Sequence, residues 1–409
     1  VSGCADMAGK DKIARKFRGV EGGLFTKVTK ADVGDSFASM AGQVVLMGWA
    51  DPFYPDPSVP ETVKEALIEA AQCGIASHYT MPIGSVELRE EIAKKCKAYN
   101  HLDVDPRRNI IITPGSDSGL FYAMTVFLDP GDEVLVPDPS YPSNFLNPTL
   151  MGGVTVPVPL DAANGYQFDM DAFERCVTDK TKMVLITHPN NPTTTVFRRE
   201  SLEALAEFVI RHDLILVVDQ AFEDMIFDDV EFVSPASLPG MWERTVTVCS
   251  ISKGMGLSGL RVGYIVACDT FMDVYYGGAV NVLGATNTAS QLAAIAAFRD
   301  TSFMAGYKAH YDRRRRDACR ILGSVPGVKM DMPQSGFFCW IDVSELGDST
   351  EIMDYLIRQA GVAVNDGKNY GSQGNGCLRI INGCLGSDDE SEQVLQRIAQ
   401  ALRAYQEQD

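Results

Sequence analysis

Lys253 lies in the run Ser250-Ile-Ser-Lys253-Gly-Met-Gly-Leu-Ser-Gly-Leu-Arg261-Val-Gly263, where three side chains carry the chemistry this loop could do. A lysine amine condenses with an aldehyde, while the serine three residues before it and the arginine eight residues after it can reach a phosphate. The glycines invite a competing reading. Gly254, Gly256 and Gly259 match GxGxxG, the fingerprint of a dinucleotide-binding turn, but that fingerprint requires a helix directly after the loop. RVGYIVA follows instead and predicts a strand, so nicotinamide chemistry is disfavoured.

Asp219 ends the apolar run LILVVD, where a carboxylate is costly to bury unless it meets a cation. The protonated pyridine nitrogen of pyridoxal 5′-phosphate is such a cation, and an acid held against it keeps the ring an electron sink. A plainer role for Asp219, capping the turn at the strand end, stays open. With Lys253 and Arg261, Asp219 points to pyridoxal phosphate as the cofactor; no metal is implied.

Further motifs stand in order along the chain. They are Gly115-Ser116-Asp117-Ser118-Gly119, Pro139-Ser-Tyr141-Pro142, Pro189-Asn190-Asn191-Pro192-Thr193, Asp219-Gln-Ala-Phe222, Ser250-x-Ser-Lys253 with Arg261, and Arg379 in CLRIIN. In these motifs and their separations the chain resembles the fold-type I, class I/II aminotransferases over nearly its whole length. The resemblance implies transfer of an amino group from an L-amino acid to a 2-oxo acid through a Schiff base on Lys253 and ketimine and pyridoxamine stages. It implies that Ser116, Asp117 and Ser118, opening a helix after a strand, hold the phosphate by backbone N–H groups and the helix dipole. Ser250 and Arg261 complete that cup. Tyr141 stacks on the pyridine face and Asn191 donates to the phenolic oxygen. Arg379 is the clamp for the substrate α-carboxylate, because its planar fork matches a carboxylate in two hydrogen bonds. Tyr79 in SHYTMPIG resembles a tyrosine that crosses to a second subunit's phosphate, which implies a homodimer with active sites at the interface.

Several positions depart from the family pattern. Phe222 stands where most members carry a tyrosine whose hydroxyl bonds the phenolic oxygen, and its absence is expected to raise the pKa of the cofactor's lysine linkage. It keeps a decarboxylase, a C–S lyase or an oxidase on the same fold as the alternative. Asp117 replaces a lysine that meets a side-chain carboxylate in one subgroup, which argues against acidic amino donors, although an acid favoured at a helix N-terminus is as ready a reading. Ala50 in GWADP replaces a glycine at the site entrance, and neighbouring Trp49 either walls the side-chain pocket or packs. Thr194 replaces a turn glycine, and His188 is as readily structural as functional.

Elements that could position these residues follow from hydrophobic pattern. Apolar, β-rich runs at Asn109–Thr113, Glu133–Pro137, Met183–His188, Leu214–Asp219, Thr245–Ser250 and Arg261–Ala267 alternate with helical patterns at Ser116–Leu128, Arg199–His212 and Asn287–Arg299. This predicts an α/β fold whose large domain, 61–300, has a mostly parallel sheet sandwiched by helices. Strand-like VKMDMP, GFFCWIDV and CLRIIN, with helices at Glu351–Ala360 and Ser387 to about Tyr405, predict a smaller α+β domain at 301–409. The proline-rich 1–60 segment reads as an extended arm and part of the small domain.

The 409 residues exceed what one core readily serves. A net charge of −18 argues against a nucleic-acid partner. Ten scattered cysteines without a CxxC pair suit a reducing cytoplasm, and no signal-peptide pattern opens the chain. The uncharged stretch Val274–Phe298 holds too many polar residues for a membrane span and reads as a buried segment plus helix. The run Arg313–Arg316 reads as the solvated face of a helix.

Overall fold

The computed structural model describes residues 14–17, 42, 44–52 and 59–407. In chain order its strands are β1 (Val45–Leu46), β2 (Ile110–Thr113), β3 (Glu133–Asp138), β4 (Val154–Asp161), β5 (Gln167–Phe168), β6 (Thr181–Thr187), β7 (Ile215–Asp219), β8 (Thr245–Ser250), β9 (Gly263–Val266), β10 (Cys339–Asp342), β11 (Val362–Ala363), β12 (Asn365–Asp366) and β13 (Cys377–Ile380). Eight of them form one sheet in the order β2-β9-β8-β7-β6-β3-β4-β5. From β8 through β4 the pairing is parallel; β9 runs antiparallel between β2 and β8, and β5 closes the far edge antiparallel.

Continuous apolar runs form these strands because both faces of the sheet are covered. Val184, Ile186, Leu216 and Val218 pack on one side with Leu205, Phe208 and Val209 of the helix Arg199–Arg211. Their neighbours Met183, Leu185 and Val217 point the other way, onto Leu120 and Ala123 of the helix Ser116–Thr125. Period-two alternation therefore sorts side chains between two cores rather than between core and water.

The C-terminal part has its own antiparallel sheet, β10-β13-β12, and its core is built with the helices Phe303–Leu322, Ser349–Ala360 and Asp388–Gln406. β1 pairs parallel with β11, tying the described piece of the N-terminal segment to this part. Most of the arm predicted over 1–60, including Pro55 and Pro57, lies outside the described residues.

Three expectations need correction. VKMDMP forms only a bridge, Lys329 to Asp342, because little backbone there finds a partner. Arg314 and Arg315 are buried rather than solvated: Arg314 pairs with Asp388 at 2.7 Å, and Arg315 pairs with Asp228 at 2.7 Å and lies over the Phe227 ring. The stretch Val274–Phe298 spans parts of two helices, Asp269–Val282 and Thr288–Arg299, and Val274, Val280 and Val282 of the first face outward.

Candidate active site

Parallel strands deliver their following residues to a common edge, and the crevice outside that edge is where α/β sheets bind ligands. Ser116 follows β2, Tyr141 follows β3, Asn191 follows β6, Phe222 follows β7 and Lys253 follows β8; Asp219 is the last residue of β7. Because β9 runs the opposite way, its first residue Gly263 pairs with Thr113 and Ser250, so Arg261 arrives at this same edge. The loop carrying the glycines continues into β9 and not into a helix, which removes the dinucleotide reading.

A cavity of about 280 Å³ opens there. Of the residues singled out in the sequence, Trp49, Ala50, Ser116, Asp117, Tyr141, Asn191, Asp219, Phe222, Lys253 and Arg261 line it. Asp51, Leu120, Ala221, Ser252, Ser258 and Gly259 line it too without having been assigned a binding role, although Asp51, Ala221 and Ser252 directly adjoin Ala50, Phe222 and Lys253.

Lys253 Nζ donates to the Ala50 carbonyl at 2.6 Å, which brings the strand-end lysine under the N-terminal segment. Burial pushes the Asp219 carboxyl up to about 7, and the negative charge of Asp117 adds to the rise. The amide of Ala221 and the hydroxyl of Thr187 donate to it without cancelling that cost. Asp219 thus also caps its turn, the plainer role left open above.

The helix Ser116–Thr125, which lines the cavity through Ser116, Asp117 and Leu120, begins after Gly115 with no side-chain cap, so its first N–H groups have no acceptor within the helix. The Arg261 guanidinium sits on that helix start, where a Cβ on Gly115 would stand 2.2 Å from its Nη2. Arg261 itself has a φ of +53°, a left-handed conformation that costs a non-glycine residue about 1–2 kcal/mol. Tyr141 reaches this helix start, its hydroxyl donating to Asp117 at 3.2 Å.

Arg379 is fully buried behind Asn191 rather than in the cavity lining. Its Nη1 donates to Asn191 Oδ1 at 3.0 Å, Nε and Nη2 donate to Asn365 Oδ1, and Nη2 also donates to the Gly48 carbonyl. The rings of Tyr370 and Phe338 lie 4.9 and 5.5 Å from the guanidinium carbon. Every one of these partners is uncharged. Since Asn191 turns its oxygen to Arg379, its amide nitrogen is the end left for the cavity.

Phe222 is buried against Phe337 and Phe338, so the position that lacks a hydroxyl is an apolar wall. Ser118 and Ser250 stay out of the lining: the Ser118 hydroxyl donates back to Pro114 O at 3.2 Å, and Ser250 Oγ accepts from the Ser252 amide. Tyr79 does not line the cavity and is 95% exposed. His188 is structural: buried, bonded to Val233 O and the Phe197 amide, and held neutral by desolvation that takes its pKa down to about 3. Thr194 adopts the left-handed φ of +64° expected of the glycine it replaces.

An uncapped helix start with an arginine, a lysine, and a buried carboxyl in want of a cation fit the phosphate, aldehyde and ring nitrogen of pyridoxal phosphate in turn. Among the described residues no cluster suited to a metal ion occurs. No helix of these residues is long and apolar enough to cross a membrane.

Comparison with known proteins agrees with that donor set. The family model for aminotransferase class I and II matches residues 44–398. An aspartate aminotransferase of Pyrococcus abyssi is 33% identical over 353 residues, covering 85% of this chain and 90% of that protein. An aromatic-amino-acid aminotransferase of Thermococcus litoralis is likewise 33% identical, with the same coverage. The structure of Thermus thermophilus aspartate aminotransferase with maleate superposes with a TM-score of 0.86 at 28% identity, covering 95% of this chain and 99% of that one. These relatives favour amino transfer over the decarboxylase, lyase and oxidase alternatives that Phe222 kept open. Fold, cofactor donors and relatives agree: the chain belongs to the class I and II aminotransferases, pyridoxal-phosphate enzymes that move an amino group from an amino acid to a 2-oxo acid.

Proposed function

We propose that this aminotransferase takes an L-amino acid donor without a side-chain carboxylate, and that the residues at the carboxyl edge of the sheet divide the work as follows. The observation that carries the donor class is Asp117, an acid in the cavity lining that would repel a second carboxylate. Relatives named for aspartate act on an acidic donor; this chain carries the opposite sign of charge from the lysine that meets such a donor in one subgroup.

Pyridoxal phosphate, when bound, supplies an electron sink for negative charge at the donor's α-carbon. Lys253 would hold that group covalently at rest and then move the α-proton, its Nζ lying against the Ala50 carbonyl in the cavity lining. Asp219 holds the ring nitrogen, and the helix start with Arg261 and the 250–252 turn holds the phosphate, the Ser252 side being nearer the cavity than Ser250 or Ser118. Tyr141 and Phe222 bound the ring, Asn191 donates its amide, and Trp49 and Ala50 wall the entrance. Arg379 binds the carboxylate common to donor and acceptor; a buried guanidinium whose hydrogen-bond partners among the described residues are all neutral is a charge suited to an anion.

The chain works as a homodimer in this reading. Tyr79 and Met81 are 95% and 65% exposed, and their loop is hydrogen-bonded to the segment after the helix with exposed Val280 and Val282, through Thr80 to Thr286 O and Thr288 to His78 O. Apolar side chains gathered this way mark a surface that a partner covers. Residues 61–300 serve as the cofactor-binding domain and 301–409, with part of 1–60, as the small domain; the sheet cores of the first hold no residue of the second, while Ala221, Phe222, Met225 and Phe227 of the first pack into the core of the second. Nine described cysteines, all unpaired, support a reducing cytoplasm.

Titration of the loaded enzyme with basic, aromatic, aliphatic, sulfur-containing and acidic amino acids tests this assignment. Non-acidic donors should bleach the visible cofactor band, a 2-oxo acid should restore it, and the active species should elute at twice the chain mass. An acidic donor reacting best would contradict the donor class, bleaching that no 2-oxo acid reverses would contradict transfer, and a fully active monomer would contradict the dimer.

A further inference from the structure

Asp138 is the last residue of β3, buried at 1% exposure, and it takes no part in lining the cavity. Its carboxylate is nonetheless fully engaged by one loop of the C-terminal part. Oδ2 accepts from the Ser372 amide at 3.0 Å and the Ser372 hydroxyl at 2.7 Å, and Oδ1 accepts from the Gln373 amide at 3.1 Å. Two residues on, the Ser140 amide donates to the Tyr370 carbonyl at 2.8 Å. The loop can fold over the carboxylate only because residue 371 is glycine: its φ is +118°, and a Cβ there would stand 2.1 Å from Asp138 Oδ1.

Both ends of this latch touch the site. On one side Asp138 is followed by Tyr141, which lines the cofactor cavity. On the other, Tyr370 immediately precedes the latched glycine and presents its ring to the Arg379 guanidinium at 4.9 Å. Arg379 lies on β13 and, among the described residues, has no acidic side chain as hydrogen-bond partner; neutral acceptors and two aromatic faces set where its fork points. A group whose contacts come from separate segments of the chain depends on the placement of the elements that carry them.

We infer that Asp138 is a positioning residue for substrate carboxylate binding: by clasping the 370–373 loop to the end of β3, it fixes the Tyr370 wall and hence the Arg379 fork relative to the cofactor cavity. The inference rests on the reading of Arg379 as the carboxylate clamp. Asp138→Asn keeps the shape but turns one acceptor into a donor facing N–H groups, which opens the clasp. Ser372→Ala removes one donor and leaves both backbone contacts.

The test measures KM for donor and for 2-oxo acid, kcat, cofactor affinity and the visible spectrum in holoenzyme carrying Asp138→Asn, Ser372→Ala or Arg379→Ala. Asp138→Asn should raise both KM values by about ten-fold or more, the scale of a misplaced binding group, with cofactor affinity and spectrum unchanged. Ser372→Ala should raise both by about three-fold, as loss of one hydrogen bond does, and keeps the test open if Asp138→Asn does not fold. If Arg379→Ala raises KM while neither clasp variant does, the clasp is overturned and the clamp stands. If Arg379→Ala leaves KM unchanged, the clamp reading itself falls and this inference with it. A fall in cofactor affinity parallel to the rise in KM in the clasp variants would mark general loosening and also overturn the proposal.

Discussion

Arg379→Ala is expected to lower kcat/KM for the amino donor by roughly a hundred-fold to a thousand-fold, the range found when one member of a buried, hydrogen-bonded charge pair is truncated. The guanidinium is fully buried, and Asn365, Asn191, Gly48, Tyr370 and Phe338 supply no negative charge. A carboxylate arriving beside it therefore meets a guanidinium with no acidic hydrogen-bond partner among the described residues, in a low-dielectric setting where charge-assisted bonds are strong. The same substitution removes the donor that orients Asn191, so some loss should appear in kcat as well. Arg379→Lys should recover only part of the affinity, because an ammonium keeps the charge and loses the fork. Unaltered KM in steady-state kinetics of both variants would remove Arg379 from substrate binding.

Cofactor-free protein should lose stability as pH rises, through Asp219. Its folded carboxyl titrates at about 7 against an ordinary 3.8. Between those values the folded chain keeps a proton that the unfolded chain has released, so the folded state binds more protons and stability falls with rising pH. The loss begins near pH 4 and is complete above pH 7; three units correspond to on the order of 4 kcal/mol. His188 has the opposite sign: its pKa, lowered to about 3, contributes stability that is present above its ordinary value and lost in acid. That contribution is shared with Asp219→Asn, so the difference between wild type and variant isolates the carboxyl. Thermal melts from pH 5 to 8 should show the apo wild type losing ground to apo Asp219→Asn, and bound cofactor should restore it by placing a cation on the carboxylate. Parallel pH profiles for the two apo proteins would contradict the assignment.

The features legible in the sequence were those written locally. Lys253, Asp219, Asn191 and Tyr141 follow recognisable strands within a few residues, so a strand pattern and a motif together place them at one edge. Arg261 was legible for the same reason, once RVGYIVA was read as a strand and not a helix. The surroundings of Arg379 were not, because Gly48, Asn191 and the stretch holding Asn365 and Tyr370 come from three separate segments with no shared motif. The Asp138 clasp is hidden likewise: its donors lie 234 and 235 residues away. Hydropathy misjudged Val274, Val280 and Val282 because it measures what prefers to be covered, without saying whether the cover is the same chain. It misjudged Arg314 and Arg315 because a charge run does not reveal the acids at Asp228 and Asp388 that allow burial.

Behind donor class, clasp and clamp stands one claim, that Lys253 carries the cofactor. Borohydride reduction of the loaded enzyme, followed by peptide mass analysis, tests it without reference to activity. The account predicts cofactor mass on the peptide containing Lys253 and none anywhere in Lys253→Ala, which should also lose the visible band of the lysine-bound cofactor. Label on another lysine, or an unchanged band in Lys253→Ala, would contradict it.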